Sequence, residues 1–217
     1  MLEIIYLNLV KCIDKDLSAS LEDIASLSGV SVESVVRALI RLNSISIDVG
    51  KRRVYVRDRL SLAQTLMNAG IELELILNSF GWSDVEELVS EITIKHGFQV
   101  NRNYRFKLDN KRYEIDIVAV RRGLVLSIDC KRWKRIPPSS VKRIVEKHLA
   151  RTKALAEKII REKRIHKDLK EVIPVVITTL HPRVKFHLNV PIVPVRMLNN
   201  FLLELDIYKD ELMKFKV

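Results

Sequence analysis

Two carboxylates and an ammonium, Asp116, Asp129 and Lys131, stand close together in the stretch RYEIDIVAVRRGLVLSIDCKRWKR, residues 112–135. Asp129 and Lys131 are two apart, so on a strand both project to one face. Asp116 lies in the preceding apolar run, and a turn at residues 121–123 folds that run back beside the next. Two neighbouring carboxylates repel, and a divalent cation that favours hard oxygen ligands, Mg2+ or Mn2+, relieves the repulsion. A cation so held lowers the pKa of a water and neutralises charge on a phosphodiester. Lys131 would orient that water or stabilise the developing negative charge. The plain alternative is a solvated hairpin face with a surface ion pair, which contributes little. The second carboxylate and the flanking basic residues favour the chemical reading.

The elements that must position these groups are two runs rich in β-branched residues, 115–120 and 124–129, joined by Arg121-Arg122-Gly123. This composition predicts a β-hairpin. Upstream, residues 84–95 place Val85, Leu88, Val89 and Ile92 at helical spacing. Residues 98–100 and 104–108 alternate as strands do, the latter turning at Asp109-Asn110. Downstream, Pro137-Pro138 breaks the chain, and Ser139 or Ser140 is placed to cap a long helix. Its apolar stripe runs Val141, Ile144, Val145, Leu149, Leu155, Ile159 and Ile160. Lys142, Arg143, Lys147, Arg151, Lys153 and Lys158 occupy the other face. Residues 172–178 read as a buried strand, with Pro174 arguing against a central place. Residues 192–195 read as a short edge strand, and 197–213 as a closing helix.

The pattern Asp116, then Asp129-Cys130-Lys131, resembles the PD-(D/E)XK nuclease superfamily. Residues 82–89, WSDVEELV, followed by His96-Gly97-Phe98-Gln99-Val100, are similar to the helix and strand that open its Mrr-type and archaeal Holliday-junction-resolvase branches. The resemblance covers roughly residues 82–180. It implies a restriction-endonuclease-like α/β fold, a central mixed sheet flanked by helices. It also implies a metal held by Asp116, Asp129 and the backbone carbonyl of Cys130. An acidic residue on the opening helix completes the set, Glu86 by its spacing to Gly97-Phe98, with Glu87 as runner-up. Ile115 stands where the superfamily's name has proline. Asp129 stands where Glu is commoner, which shortens the reach to the metal and keeps the charge.

A chain of 217 residues with 47% hydrophobic and 30% charged residues is that of a globular protein. The opening apolar stretch is interrupted by Glu3, and no membrane-spanning run or cleaved leader is expected. Cys12 and Cys130 lack metal-ligand spacing, which argues against a zinc site or disulfide framework and for the cytosol. The net charge is +11, and residues 131–170, with fifteen Lys or Arg against four carboxylates, carry an equal balance by themselves. Such a face suits a polyanion, here DNA. Arg132, Lys134, Arg135, Lys142, Arg143, Lys147 and Arg151 are its expected backbone contacts. Trp133 would stack on a base or cover a core edge.

Residues 2–15 read as an amphipathic helix. Ser20 caps a second, a Gly29 turn leads to a third at 32–42, and residues 45–49 and 54–56 form a hairpin with basic Lys51, Arg52 and Arg53 at its tip. Residues 1–58 thus look like a winged helix-turn-helix, with Arg37 among the exposed residues of its second recognition-type helix. Such a unit serves DNA binding, or dimerisation and scaffolding. Residues 59–81 form a helical connector, with Gly70 separating two short helices, and residues 82–217 the nuclease-like domain. The expectation is a Mg2+- or Mn2+-dependent DNA endonuclease. It would act as a homodimer, because a double-strand cut needs two sites. The alternative is a DNA-binding protein that keeps the fold without turnover.

Overall fold

The computed structural model describes residues 1–131, 138–162, 168–180, 182 and 184–217. Arg132, Trp133, Lys134 and Arg135, expected at DNA, lie outside the described residues. The chain divides into two compact units, Met1–Leu88 and Val89–Val217.

In the first unit α1 (Leu2–Cys12) ends earlier than residue 15, because Ile13 is already extended. A three-residue strand, β1 (Ser18–Ser20), follows, too short to show a period. Ser20 caps α2 (Leu21–Ser28) by accepting from the Asp23 amide, and Gly29 ends it at φ 65°. Ser31 caps α3 (Val32–Leu39), which stops short of residue 42. The hairpin β2 (Ile45–Asp48) and β3 (Arg53–Val56) gains β1 beside β3, giving an antiparallel sheet ordered β1-β3-β2. Ile5 and Leu9 of α1, Leu21 and Ile24 of α2 and Leu39 of α3 are among the unit's fully buried large residues. The connector forms α4 (Arg59–Asn68) and α5 (Leu73–Ser79). α6 (Trp82–Lys95) then carries the chain into the second unit.

The second unit is a seven-stranded mixed sheet flanked by helices. Residues 99–108 form one strand, β4 (Gln99–Leu108), where two segments were expected. β5 (Lys111–Arg121) and β6 (Leu124–Lys131) follow in antiparallel order. Both hairpin loops are two residues long with positive φ: Asp109 (46°) and Asn110 (64°), then Arg122 (48°) and Gly123 (83°). Positive φ at both positions is the mark of the type I′ turn, whose twist matches the strands. A Cβ on Gly123 would come within 2.6 Å of the Asp168 carbonyl, so this position also requires glycine for space.

α7 (Pro138–Arg161) crosses from β6 to the parallel strand β7 (Glu171–Thr178). It starts at Pro138, whose fixed φ and missing amide suit a first helical position, so it does not wait for a serine cap. β8 (Phe186–His187) and β9 (Val190–Pro194) complete the order β4-β5-β6-β7-β9-β8. β9 is therefore not the edge, since β8 pairs along it. α8 (Leu198–Tyr208) ends before residue 213, and β10 (Phe215–Lys216) pairs with the start of β7. Pro174 finds its place between these partners. Val172 pairs with Phe215 and Val176 with Ile192, and Pro174 falls in the gap on that side.

The core lies between the sheet and α7. Leu155 and Ile159 pack with Val118, Val125, Val172, Phe106 and Ile115, while Val141 and Val145 pack with Val176, Val190 and Ile192. No helix among the described residues is long and apolar enough to cross a membrane. Cys12 and Cys130 are free thiols.

Candidate active site

Asp116 owes its position to a break in the β ladder. β5 pairs with β6 only as far as Ile117 opposite Ile128. On its other side the pairing with β4 skips Asp116, where the opposed Asn103 turns to φ 52°. The Cys130 amide, no longer paired with β5, donates instead to Asp116 Oδ2 at 2.8 Å. Asp129 sits beside it with only 1% of its side chain exposed.

Lys131 places its ammonium among the oxygens of this pair. Nζ lies 2.7 Å from Asp129 Oδ2 and 3.9 Å from Asp116 Oδ2, and donates to the Cys130 carbonyl at 3.0 Å. These are the three groups expected to hold a metal. Asp129 Oδ2 has no partner of good hydrogen-bond geometry, so the contact with Lys131 is chiefly electrostatic. Burial raises the pKa of Asp116, and the Asp129 charge raises it further against the pull of Lys131. Two carboxylates and a carbonyl surrounding a cation form an all-oxygen donor set, which suits Mg2+ or Mn2+. Among the described residues, no group of three or more His, Cys, Asp or Glu side chains forms a ready metal cluster. The donor set consists of two carboxylates and main-chain oxygen.

One turn of α7 grips β6 directly beneath this pair. Arg151 Nη2 donates to Asp129 Oδ1. His148, completely buried, donates from Nε2 to the Ser127 carbonyl at 2.8 Å. The carbonyl can only accept, so this assignment fixes the tautomer. Thr152 Oγ1 lies 2.9 Å from Ser127 Oγ and donates to it. Burial lowers the His148 pKa to about 4, keeping the ring neutral.

Sequence reasoning passed over His148 and Thr152 and gave Arg151 another task. A signal existed, because 141, 145, 148, 152, 155 and 159 recur at the spacing of a buried helical stripe. Two of those positions are polar, and polar residues on a buried stripe need partners. Arg151, expected on the DNA-facing side, turns inward to Asp129; Lys142, Arg143 and Lys147 are exposed as expected.

The remaining expected residues fall in the first unit. Glu86 is buried on α6. The runner-up Glu87 is committed elsewhere: Arg59, itself buried, holds it at 2.6 Å and Asp84 at 2.7 Å. Arg37 is exposed on α3 and reaches back to the Glu33 carbonyl. Arg52 pairs with Glu22 at 2.9 Å, and Arg53 with Asp14 at 2.6 Å. Arg53 belongs to strand β3 and not to the hairpin tip, and Lys51 lies 3.9 Å from Asp48. The expected basic tip is thus largely internally compensated.

No family model matches the chain. An uncharacterized protein of Archaeoglobus fulgidus is 34% identical over 132 residues, 60% of this chain and 95% of the other. Among solved structures, a protein of unknown function, AF1548, matches with a TM-score of 0.33 and 19% identity over 43% of this chain and 45% of that one. Protein VC1899 of Vibrio cholerae gives 0.41 and 12%, over 96% and 51%. The restriction endonuclease FokI bound to DNA gives 0.37 and 14%, over 94% and 44%. The chain spans about half the length of these solved structures.

Proposed function

This chain belongs to one family with the uncharacterized Archaeoglobus fulgidus protein, and we propose that it is a metal-dependent DNA endonuclease of PD-(D/E)XK type. The observation that carries this reading is the convergence of Asp116, Asp129 and the Cys130 carbonyl on a single cation, the Lys131 ammonium. A largely buried pair of carboxylates is costly, and one oxygen of each, with the Cys130 carbonyl, turned to a shared cation suits a cation-binding centre. Asp116 and Asp129 would hold Mg2+ or Mn2+ with the Cys130 carbonyl. The bound ion supplies Lewis-acid stabilisation of the phosphodiester and a more acidic water.

The protein's own groups do the rest. Lys131 would leave the carboxylate oxygens to a bound metal and direct its charge to the attacking water or to the charge that develops on the phosphate. Arg151 holds Asp129 in place from below, and His148 and Thr152 fix the strand that carries it. Exposed Lys142, Arg143 and Lys147 meet the DNA backbone without reading sequence. Residues 1–58 are read as a winged helix, supported by two capped helices, a Gly29 turn and a hairpin, and they serve DNA binding or dimerisation. A homodimer would supply two cuts, and exposed Leu203 and Ile207 on α8 offer apolar surface for it.

A second reading, DNA binding without turnover, is favoured by one observation: Lys131 and Arg151 already neutralise the two carboxylates. Cleavage of duplex, single-stranded, flapped and four-way DNA with Mg2+, Mn2+ or EDTA separates the two. The nuclease reading expects cutting that depends on metal and stops in EDTA. Tight binding with no cutting of any substrate supports the second reading instead.

A further inference from the structure

We propose that the outer face of the β4–β5 hairpin is a docking surface for the phosphate backbone of duplex DNA, separate from the basic face of α7. The hairpin arm beyond Asn103 carries Arg105, Lys107, Lys111 and Arg112, all exposed. Its carboxylates are committed: Glu114 to Arg105 at 3.0 Å, and Asp109 to Arg161 through two bonds of 2.6 and 2.8 Å. Lys107 and Arg112 stand directly opposite each other in the strand register. Like charges in that relation destabilise a sheet, and among the described residues neither makes an ion pair. The fold therefore accepts a repulsion that a polyanion would relieve.

The arm is also held so that this face stays outward. Its other face buries Phe106, Leu108 and Ile115 against Leu155, Ala156 and Ile159 of α7, and Phe106 stacks on Tyr113 at 5.2 Å. Lys111, opposite Leu108 in the register, lies over the Tyr113 ring at 5.2 Å and borders the other side of the hairpin. The outer face lines an open hollow of about 650 Å³ that includes Arg105, Lys107 and Arg112. Arg112 lies four residues before Asp116 on β5, about 13 Å along the strand. A duplex that reached Asp116 and the arm together would cover that distance in about four base pairs. That choice of polyanion rests on the nuclease reading; the unrelieved charge does not.

The test is the affinity of the full chain for a fluorescent duplex in EDTA, measured by anisotropy across a salt series, for wild type and Lys107→Gln/Arg112→Gln. Two lost phosphate contacts should weaken binding about tenfold at 0.1 M salt and flatten the log–log salt slope by about 1.8. The melting temperature should stay the same or rise, because the cross-strand repulsion is gone. Unchanged affinity and slope would overturn the proposal, as would weaker binding that comes with a lower melting temperature and an unchanged slope. Wild-type cleavage measured alongside keeps the two ideas apart. Hairpin-dependent binding without cutting removes the nuclease reading alone, and cutting with unaltered binding by the variant removes the docking surface alone.

Discussion

Lys131→Ala binds Mn2+ more tightly than wild type and yet cuts DNA slower by about a hundredfold or more. The ammonium now occupies the point where Asp129 Oδ2, Asp116 Oδ2 and the Cys130 carbonyl meet. It therefore competes with a divalent ion for the same oxygens. A unit charge at such distances is worth about 4 kcal/mol at an effective dielectric of 20, so its removal leaves the carboxylates strongly under-compensated. The metal gains what the lysine gave up. Cutting would suffer because, in the proposed nuclease, the same ammonium would stand beside the reacting phosphate, and loss of one preorganised charge costs about 10²–10³ in rate. Asp129→Asn differs in kind, since it loses both Mn2+ affinity and cutting. Titration of Mn2+ by electron paramagnetic resonance, beside plasmid cleavage, reads both quantities. Weaker Mn2+ binding by Lys131→Ala would show that the lysine helps to build the metal site and does not compete for it.

Stability falls by about 2–3 kcal/mol between pH 7.5 and 4.5 through His148 alone. The ring is fully buried, and burial lowers its pKa from 6.5 to about 4. In that interval the unfolded chain binds a proton that the native chain refuses, so stability drops as pH falls. The contribution is complete above pH 6.5, and its loss ends once pH has passed below about 4. Asp116 acts in the opposite sense. Its pKa is raised by burial, so its ionisation opposes the fold and its protonation in acid relieves that cost. Urea denaturation over this range should give wild type a steeper pH dependence than His148→Gln, which keeps a donor for the Ser127 carbonyl and has no charge to gain. Equal slopes in the two proteins would mean that His148 is not buried neutral.

The hairpin that carries Asp116, Asp129 and Lys131 was legible because it rests on local signals: β-branched runs, an Arg-Gly turn and a two-residue alternation. The helix start at Ser20 was legible for the same reason, since a cap is read within four residues. What escaped was short or distant. β1, β8 and β10 have two or three residues and only form where a partner strand receives them. Pro174 looked unsuited to a central strand because its gap depends on where β9 and β10 end. Arg151 illustrates the chemical side of this limit. Helical spacing alone assigns a charged residue to solvent, and only the carboxylate on β6, twenty-two residues earlier, turns it inward. The end of the β5–β6 pairing at Ile117 and Ile128, which leaves the Cys130 amide to Asp116, is equally invisible in two apolar runs.

The central claim is that Asp116, Asp129 and the Cys130 carbonyl form a divalent-cation centre. Crystals grown with Mn2+ and measured near the manganese absorption edge test it in one experiment. The account predicts an anomalous peak between the two carboxylates, with Lys131 Nζ moved away from Asp129. Lys131 still seated on the carboxylates at millimolar Mn2+, with no peak beside them, would contradict it.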